Sequence, residues 1–374
     1  MPWQPEVPYN DLPGLPPAQE LETRPVLKAV IEARAALASL DKAAQLIPNP
    51  AVLINTIPLL EAQASSEIEN IVTTTDELFR YSDDLDSATT PATKETIRYR
   101  LALAEGVTAV RSRPLNVSTA VQICSIIQQR EMDVRKLAGT RVVNPSSRKI
   151  IYTPPEGEAL IREKLSDWER FIHQSPTIDP LVRMAVAHYQ FEAIHPFEDG
   201  NGRTGRIINI LLLVSEGLLH QPILYMSRWV IRNKNEYYRL LQAVTEDKDW
   251  EPWILYLLEA VRQTSIETTH KIDLVGDLQD EIQLRIKAAL PSANNPDLLA
   301  VLFEQPYCRI RNVVERCGVT RPTAGTWLHA LADAGILLSV KIGRERLFIN
   351  TRFLDILTAT DESDDVGQGQ PSLF

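Results

Sequence analysis

The chain has 374 residues, 44% of them hydrophobic and 24% charged, which is long enough for two or three domains and too apolar for a disordered protein. Its 39 basic and 49 acidic side chains give a formal charge of −10, which excludes general attraction to nucleic acid or anionic lipid. The cysteines Cys124, Cys308 and Cys317 are too scattered for a disulfide framework or a metal cage, and the longest strongly apolar stretch, Ile207–Val214, is too short for a membrane span. We therefore expect a cytoplasmic protein without a membrane partner.

The first part of the chain predicts an extended arm followed by helices. Residues 1–23 carry six prolines and no basic residue, which is not typical of a helix. Apolar residues then recur at helical spacing from Arg24 to about Leu46, and again from about Pro58 to Ile71. Two more helices are predicted, at Pro91–Gly106 and Ser118–Glu131.

The stretch 140–155 differs from its surroundings. Two runs rich in β-branched residues, Thr140–Val143 and Ile150–Thr153, flank the turn sequence Asn144-Pro145-Ser146-Ser147. This arrangement predicts a β-hairpin. The helical period resumes afterwards and continues, with short breaks, to about Leu290.

Residues 291–296, rich in Pro and Asn, predict a boundary before a small C-terminal domain. Three predicted helices and two β-rich runs follow in order, at Asp297–Glu304, Arg309–Cys317, Arg321–Ala334, Leu337–Ile342 and Arg346–Ile349. This order resembles a winged helix-turn-helix. From Thr360 the chain is acidic and rich in Gly, Gln and Ser, which predicts a disordered tail.

The segment His195–Arg206 reads HPFEDGNGRTGR and lies on a predicted loop that leads into an apolar helix. Its glycines let a ligand approach the backbone, the free N–H groups of a helix start favour an anion, and Arg203 and Arg206 are bidentate phosphate donors. Asp199 is an oxygen ligand suited to Mg²⁺ that bridges phosphates, and His195 takes up a proton near neutral pH. The segment therefore predicts a nucleotide-phosphate site with a base beside it. A helix-capping loop with a buried histidine is the structural alternative.

The same twelve residues are similar to the signature of Fic-domain proteins, HPFx[D/E]GNGRxxR, and every specified position is present. In that family a helical core transfers a nucleotide fragment, usually AMP from ATP, to a hydroxyl of a target protein. The resemblance implies that His195 deprotonates the acceptor hydroxyl and that Asp199 holds Mg²⁺ on ATP. It also implies that ATP is bound by the residues that follow, namely Gly200, Asn201, Gly202, Arg203, Thr204, Gly205 and Arg206. The donor stays open, because family members also transfer CMP, UMP or phosphocholine, although the complete GNGRxxR favours ATP.

An upstream hexapeptide, SSEIEN, resembles the inhibitory [S/T]xxxE[G/N] motif of one Fic class, with Ser65, Glu69 and Asn70 at the specified positions. The resemblance implies that Glu69 pairs with Arg206 and keeps this cation from the γ-phosphate of ATP. A solvated helical turn that ends in Asn is the alternative. Some family members use the same glutamate to remove AMP, and the sequence leaves this second role open.

Two further segments resemble the substrate-binding parts of Fic proteins. The hairpin at 140–155 resembles the flap, which aligns the main chain of the target by strand addition. The segment Ser227–Tyr238 is like a family segment whose second tyrosine shapes the adenine pocket, which implies this role for Tyr238. Core packing of Tyr237 and Tyr238 at helical spacing is the alternative.

Residues 296–353 carry eight basic and five acidic side chains, a net charge of +3 within an acidic chain. The basic residues gather at helix starts and on the wing, which supports an alternative function as a DNA-binding transcriptional regulator with the Fic core as a nucleotide sensor. The recognition helix around Arg321–Trp327 has few base-reading side chains, however. Target recruitment or dimerisation is therefore favoured over DNA binding.

The sequence as a whole predicts a mainly α protein: a Fic helical core with a small β-hairpin flap, followed by a winged helix-turn-helix domain. The predicted boundaries are 1–95 for the arm and first helices, including the inhibitory helix, 96–262 for the core, 263–295 for a helical linker, 296–353 for the winged helix and 354–374 for the acidic tail. The expected partners are ATP with Mg²⁺ and an unidentified protein target, while self-modification and a homodimer remain open.

Overall fold

The computed structural model describes residues 3–47, 51–82, 88, 90–143, 147–291, 295–342 and 345–359. The chain divides into two compact units, Met1–Ile272 and Asp273–Phe374, and each is described by itself. Within the described ranges, no helix has both the length and the apolar character that a bilayer crossing requires.

The first unit is built from helices, and its described strands form a two-stranded ribbon. The helices are α1 (Arg24–Leu46), α2 (Ala51–Ile68), α3 (Thr75–Tyr81), α4 (Pro91–Ser112), α5 (Val117–Gln128), α6 (Glu158–Gln174), α7 (Pro180–Ile194), α8 (Asn201–Ser215), α9 (Met226–Arg232), α10 (Lys234–Asp247) and α11 (Trp250–Ala289), the last of which contains the division between the units. The ribbon pairs β1 (Val142–Val143) with β2 (Ile150–Tyr152) in antiparallel fashion, as the hairpin pattern predicts. The turn residues 144–146 lie outside the described residues.

Helices α7 and α8 form the centre of the first unit. Every residue of α7 is buried except Pro180 and Glu192, and α8 is buried continuously from Arg203 to Leu213. Helix α7 packs on α6 and α8, and α8 also packs on α4 and α5. Each large apolar side chain buried here contributes about 1.5–3 kcal/mol. The loop between α7 and α8 is therefore carried by two deeply buried helices.

Local signals set several helix starts. The side chains of Thr23, Thr90 and Asn116 accept hydrogen bonds from main-chain N–H groups in the first turns of α1, α4 and α5, and such caps contribute ~1 kcal/mol each. The predicted bounds of α1 are confirmed. The predicted start of α2 is wrong, because this helix begins at Ala51 and keeps Pro58 in its interior. Burial of the neighbouring apolar residues outweighs the cost of an interior proline, about 3 kcal/mol.

The N-terminal arm forms no helix between residues 3 and 23, as its prolines predict. It lies against α6 and α7 through main-chain acceptors. Lys164 Nζ donates to the Leu12 carbonyl at 2.7 Å, and Gln190 Nε2 donates to the Pro13 carbonyl at 2.8 Å. The arm is therefore part of the packed unit.

The second unit has the predicted winged helix-turn-helix fold. Its elements are α12 (Pro296–Glu304), β3 (Tyr307–Cys308), α13 (Ile310–Cys317), α14 (Arg321–Asp333), β4 (Leu338–Ile342), β5 (Glu345–Ile349) and α15 (Thr351–Thr358). The strands form an antiparallel sheet in the order β3-β5-β4. The sequence analysis missed β3, which has two residues, and α15. The boundary residues 292–294, the wing tip at 343–344 and the acidic tail from Thr360 lie outside the described residues.

Candidate active site

The signature segment forms the loop between α7 and α8. His195 ends α7 with a left-handed backbone (φ 51°), and Gly200 precedes α8 with φ 84°, where a glycine avoids the steric cost of this conformation. Asn201 braces the loop, since its Oδ1 accepts the Phe197 N–H at 2.8 Å and its Nδ2 donates to the Phe197 carbonyl at 2.9 Å. Among the described residues no side chain caps α8, so the first N–H groups of this helix are available to an anion.

Arg135 fixes the position of His195. Its Nε donates to the His195 carbonyl at 2.8 Å, its main-chain N–H donates to the Pro196 carbonyl at 2.8 Å, and its Nη2 donates to the Pro155 carbonyl. Burial, together with the positive charge of Arg135, lowers the pKa of His195 to about 4. The imidazole is therefore neutral at physiological pH and can accept a proton.

The end of α2 meets α8 at Arg206, which is almost completely buried. Arg206 donates from Nη2 to Glu69 Oε1 at 2.8 Å and to the Ser65 carbonyl at 2.9 Å, and from Nε to Ser65 Oγ at 2.7 Å. Burial opposes ionisation of Glu69, but the positive charge and hydrogen bond of Arg206 outweigh it and lower the pKa of Glu69. Asn70 follows in the left-handed conformation (φ 62°). The structure thus brings together the residues that the inhibitory motif specifies.

Two further hydrogen-bonded contacts, which no sequence motif predicted, fix the position of helix α2. Near its C-terminus, Lys234 Nζ donates to the Ile68 carbonyl at 2.7 Å and so fixes the turn that carries Glu69. Two turns earlier, the buried Glu61 accepts the Ser227 N–H at 2.9 Å and the Tyr99 hydroxyl at 3.2 Å. Burial raises the pKa of Glu61 despite these hydrogen bonds.

Arg203 is buried and paired with carboxylates. It forms an ion pair with Glu95 of α4, and its Nη2 lies 3.6 Å from Asp199 Oδ1. The Asp199 side chain is 64% exposed, and its Oδ1 accepts the Gly200 N–H at 2.6 Å. Below the loop, Cys124 Sγ donates to the Asp199 carbonyl at 3.3 Å.

The position of Asp199 suits Mg²⁺. This ion commonly takes one or two carboxylates from the protein and completes its octahedron with phosphates and water. An exposed carboxylate beside a helix start fits that requirement. In the described part of the chain no group of three or more His, Cys, Asp or Glu side chains could hold a metal ion alone, so any Mg²⁺ here would need ligands from the nucleotide.

A cavity of about 200 Å³ lies beside the loop. The signature borders it with His195, Gly202 and Arg206, and Glu69 closes the same wall. The other walls are largely aromatic and apolar, with contributions from Trp3, Tyr152, Tyr189, Tyr237, Tyr238 and Leu241. A Cβ atom at position 202 would collide with Glu69 Oε1, so the glycine is what lets the carboxylate approach α8.

The two tyrosines of α10 differ in their surroundings. Tyr238 is 40% exposed and borders the cavity. Tyr237 is buried, and its hydroxyl lies 2.8 Å from His188 Nε2 within the core. Tyr238 is therefore better placed to contact a ligand, while Tyr237 supports it at a ring-centroid distance of 5.2 Å.

Two signature residues pack inside the unit. Thr204 is completely buried. A Cβ atom at Gly205 would collide with Glu192 Oε1, so this glycine leaves room for a carboxylate of α7. Neither Thr204 nor Gly205 can therefore offer a side chain to phosphate, and any contact with phosphate would have to use their main-chain atoms.

Glu192 is a site residue that the sequence analysis missed. It borders the cavity, and its Oε1 is buried without a hydrogen-bond partner among the described residues. Burial raises the pKa of Glu192 to about 7, although the charge of Arg206 acts in the opposite direction. The sequence did offer one signal for Glu192, namely its position one helical turn before His195.

Three protein-family models match this chain. The Fic/DOC family N-terminal model matches residues 27–108, and the Fic/DOC family model matches residues 114–213. The model for the C-terminal domain of SoFic-like protein adenylyltransferases matches residues 278–353. Together they cover more than half of the chain and confirm the resemblance drawn from the signature. The chain carries two domains of the Fic/DOC family.

Curated relatives match a limited part of this Fic/DOC protein. Protein adenylyltransferase Fic from Drosophila yakuba is 32% identical over 110 residues, which are 29% of this chain and 21% of the relative. Protein adenylyltransferase fic-1 from Caenorhabditis elegans is 33% identical over 108 residues, 28% of this chain and 20% of the relative. The match thus spans about a fifth of the length of these relatives.

Among solved structures, a Fic family protein from Desulfovibrio desulfuricans G20 is similar over 95% of this chain and 99% of its own. The TM-score is 0.54 and the sequence identity is 18%. A Fic domain containing signaling protein from Bacteroides thetaiotaomicron is similar over 66% of this chain and 97% of its own, with a TM-score of 0.51 and 16% identity. These similarities show a shared fold.

Proposed function

We propose that this protein transfers AMP from ATP to a Ser, Thr or Tyr hydroxyl of a protein target. The observation that carries the proposal is the placement of His195 and Arg206 at one cavity, and the lowered pKa of His195, which keeps the imidazole neutral, agrees with it. The curated relatives named above are protein adenylyltransferases, which supports the same reaction class.

In the proposed reaction, the acceptor hydroxyl gives its proton to His195 while its oxygen attacks the α-phosphorus of ATP. The bond from this phosphorus to the bridging oxygen breaks, pyrophosphate leaves, and AMP remains esterified to the protein. A positioned base contributes about 10²–10⁴ in rate. Arg135 serves this step because it orients the loop at His195.

The phosphates would bind at the start of α8. The free N–H groups after Gly200 and the guanidinium groups of Arg203 and Arg206 are suited to the developing negative charge. Asp199 would hold Mg²⁺, which neutralises phosphate charge when bound. Phosphoryl chemistry depends on positioning and charge stabilisation more than on covalent help, and the buried arginines provide both.

Glu69 would inhibit the transfer. Its carboxylate uses the Arg206 Nη2 that should meet the γ-phosphate, and it places a negative charge there. Because the pKa of Glu69 is lowered, this charge persists at neutral pH. The terminal phosphate of ATP would then be displaced, and the α-phosphorus would not align with the acceptor.

The acceptor segment of the target would dock on the flap, defined as residues 140–155. Its strands β1 and β2 contain two and three residues, and an added strand could extend this ribbon through main-chain hydrogen bonds. Val142 and Ile151 border the same cavity as His195. A strand paired with the flap would therefore pass close to the base, and a segment of a second copy could take this place in self-modification.

DNA binding by the second unit stays a prediction. Two of its basic side chains are already paired, since Arg316 Nη2 lies 2.8 Å from Glu304 Oε1 and Arg352 contacts Glu281. These pairs reduce the positive charge available to phosphates. They weaken the case for DNA binding, and target recruitment or dimerisation also stays a prediction.

Intact-mass spectrometry tests the proposed reaction. The Glu69→Gly variant, incubated with ATP, Mg²⁺ and cell lysate, should add AMP to itself or to lysate proteins. The double variant that also carries His195→Ala should show no transfer. His220→Ala is the matched control, because this histidine is 65% exposed and borders a different part of the unit. Transfer by the His195→Ala variant at the parental rate would refute the role of the base.

A further inference from the structure

The N-terminal arm brings an aromatic side chain to the active-site cavity. Trp3 borders the same cavity as His195 and Tyr238. The first family model begins at residue 27, so the arm lies outside the matched family segments. The contribution of Trp3 is a feature of this chain that the signature does not specify.

The arm is attached to the segment that follows β2. The Tyr9 N–H donates to the Thr153 carbonyl at 3.0 Å, and the Thr153 hydroxyl donates to the Pro5 carbonyl at 2.7 Å. The Glu156 N–H donates to Asn10 Oδ1 at 2.9 Å. These bonds lie on both sides of residues 6–8 and continue into the contacts with α6 and α7. These hydrogen bonds fix the position of the arm, so that the arm can form part of the cavity lining.

Aromatic contacts place Trp3 at the flap. Its ring stacks on that of Tyr152, with centroids 6.3 Å apart and an interplanar angle of 23°. Tyr9 contacts the same Tyr152 ring edge-on at 6.4 Å. The Tyr152 hydroxyl donates to the Ala193 carbonyl at 2.7 Å, which fixes this ring on α7. Trp3 therefore rests on a side chain that is itself anchored.

The cavity lining contains two kinds of group. Arg206 and Gly202 are suited to phosphate, whereas Trp3 and Tyr238 are aromatic. A purine presents a flat π face that stacks on aromatic rings, whereas an acceptor strand is bound through its main chain. We propose that Trp3 forms part of the binding site for the nucleotide base and stacks on the adenine of ATP. This inference rests on the proposed function.

Calorimetric titration of the full chain tests the role of Trp3. The Glu69→Gly variant is the parent, and Trp3→Ala and Trp3→Phe are added to it. ATP and inorganic tripolyphosphate serve as ligands, because the second has phosphates without a base. Val7→Ala is the control, since Val7 belongs to the same arm and is 52% exposed. Thermal unfolding of each variant checks that the fold is retained.

Trp3→Ala should weaken ATP binding about tenfold and leave tripolyphosphate binding within about twofold of the parent, in keeping with the cost of losing one base–aromatic stack. Trp3→Phe should lose less, and Val7→Ala should match the parent. Equal ATP affinity in Trp3→Ala and the parent would overturn the inference, and so would an equal loss for both ligands. A parent that binds ATP without transferring AMP would refute the proposed function and leave the role of Trp3 intact. A parent that binds no ATP would refute both.

Discussion

The two arginines at the start of α8 are equally buried, and each is paired with a carboxylate from an earlier part of the chain. Arg206 meets Glu69 at the end of α2, and Arg203 meets Glu95 in α4. The difference lies in what surrounds each pair. Glu69 borders the cavity, whereas Glu95 is not among the described residues that line it. Under the proposed function, the carboxylate of Glu69 would compete with the nucleotide, whereas that of Glu95 would only position its arginine, and access to the cavity separates these two roles.

Removal of Glu69 should have the largest effect. Glu69→Gly frees Arg206 for the γ-phosphate, and the rate of AMP transfer should rise about tenfold or more, since partly buried charge pairs couple by more than 1.4 kcal/mol. Initial rates of label transfer from ATP measure this change. Glu67→Gly is the control, because Glu67 is exposed near the same helix end. Equal rates in Glu69→Gly and the wild type would contradict inhibition.

Removal of Glu95 should act in the opposite direction. In the Glu69→Gly background, Glu95→Gln leaves Arg203 buried without its main partner, so that the KM for ATP should rise and the transfer rate should fall several-fold. Initial rates at a series of ATP concentrations separate the two parameters. A higher rate in Glu95→Gln would show that Glu95 also inhibits, and the distinction drawn from the cavity would fail.

A smaller effect is expected at Lys234. Lys234→Met removes the hydrogen bond to the Ile68 carbonyl and loosens the turn that carries Glu69. Transfer by the otherwise wild-type chain should therefore rise about two- to fivefold, which corresponds to roughly 0.5–1 kcal/mol, the lower part of the range for one intramolecular hydrogen bond. The same change should have no effect when Glu69 is already Gly. Lys248→Met is the control, because Lys248 is exposed at the far end of α10. A rise that persists without Glu69 would exclude action through the inhibitory turn.

The last effect concerns the stability of the folded chain and not the rate of transfer. The pKa of His195 is lowered to about 4 in the folded chain, against about 6.5 for an unperturbed histidine. The unfolded state therefore binds more protons between these values, and the free energy of unfolding should decrease as the pH falls from 6.5 towards 4, by roughly 2–3 kcal/mol for this residue. Urea denaturation at several pH values measures this slope. His195→Asn should reduce the slope, and an unchanged slope would indicate that His195 is not held neutral.

The sequence predicted the parts of the site that a local pattern encodes. The signature at residues 195–206 identified the loop and its helix, and the hexapeptide that contains Glu69 identified a partner for Arg206. The bounds of α1 followed from its apolar spacing. Each of these features is determined within a few residues of chain.

The remaining contacts join residues that are far apart in the sequence. Glu95 meets Arg203, Lys234 meets Ile68, and Trp3 meets Tyr152 only after the helices have packed. No periodicity or spacing relates such pairs in a single sequence. The early start of α2 was missed for a similar reason, because burial in the tertiary fold overrode the local signal of a proline.

Cys124 offers a way to observe the signature loop directly. Its thiol is buried beneath Asp199, and burial raises the pKa of the thiol to about 12. The thiolate is the form of cysteine that attacks alkylating reagents, so Cys124 should be inert while the loop covers it. Cys317 in the second unit is less buried and supplies an internal reference. The rate at which a maleimide labels Cys124 would therefore measure how often the loop moves away from this thiol in the absence of nucleotide and acceptor.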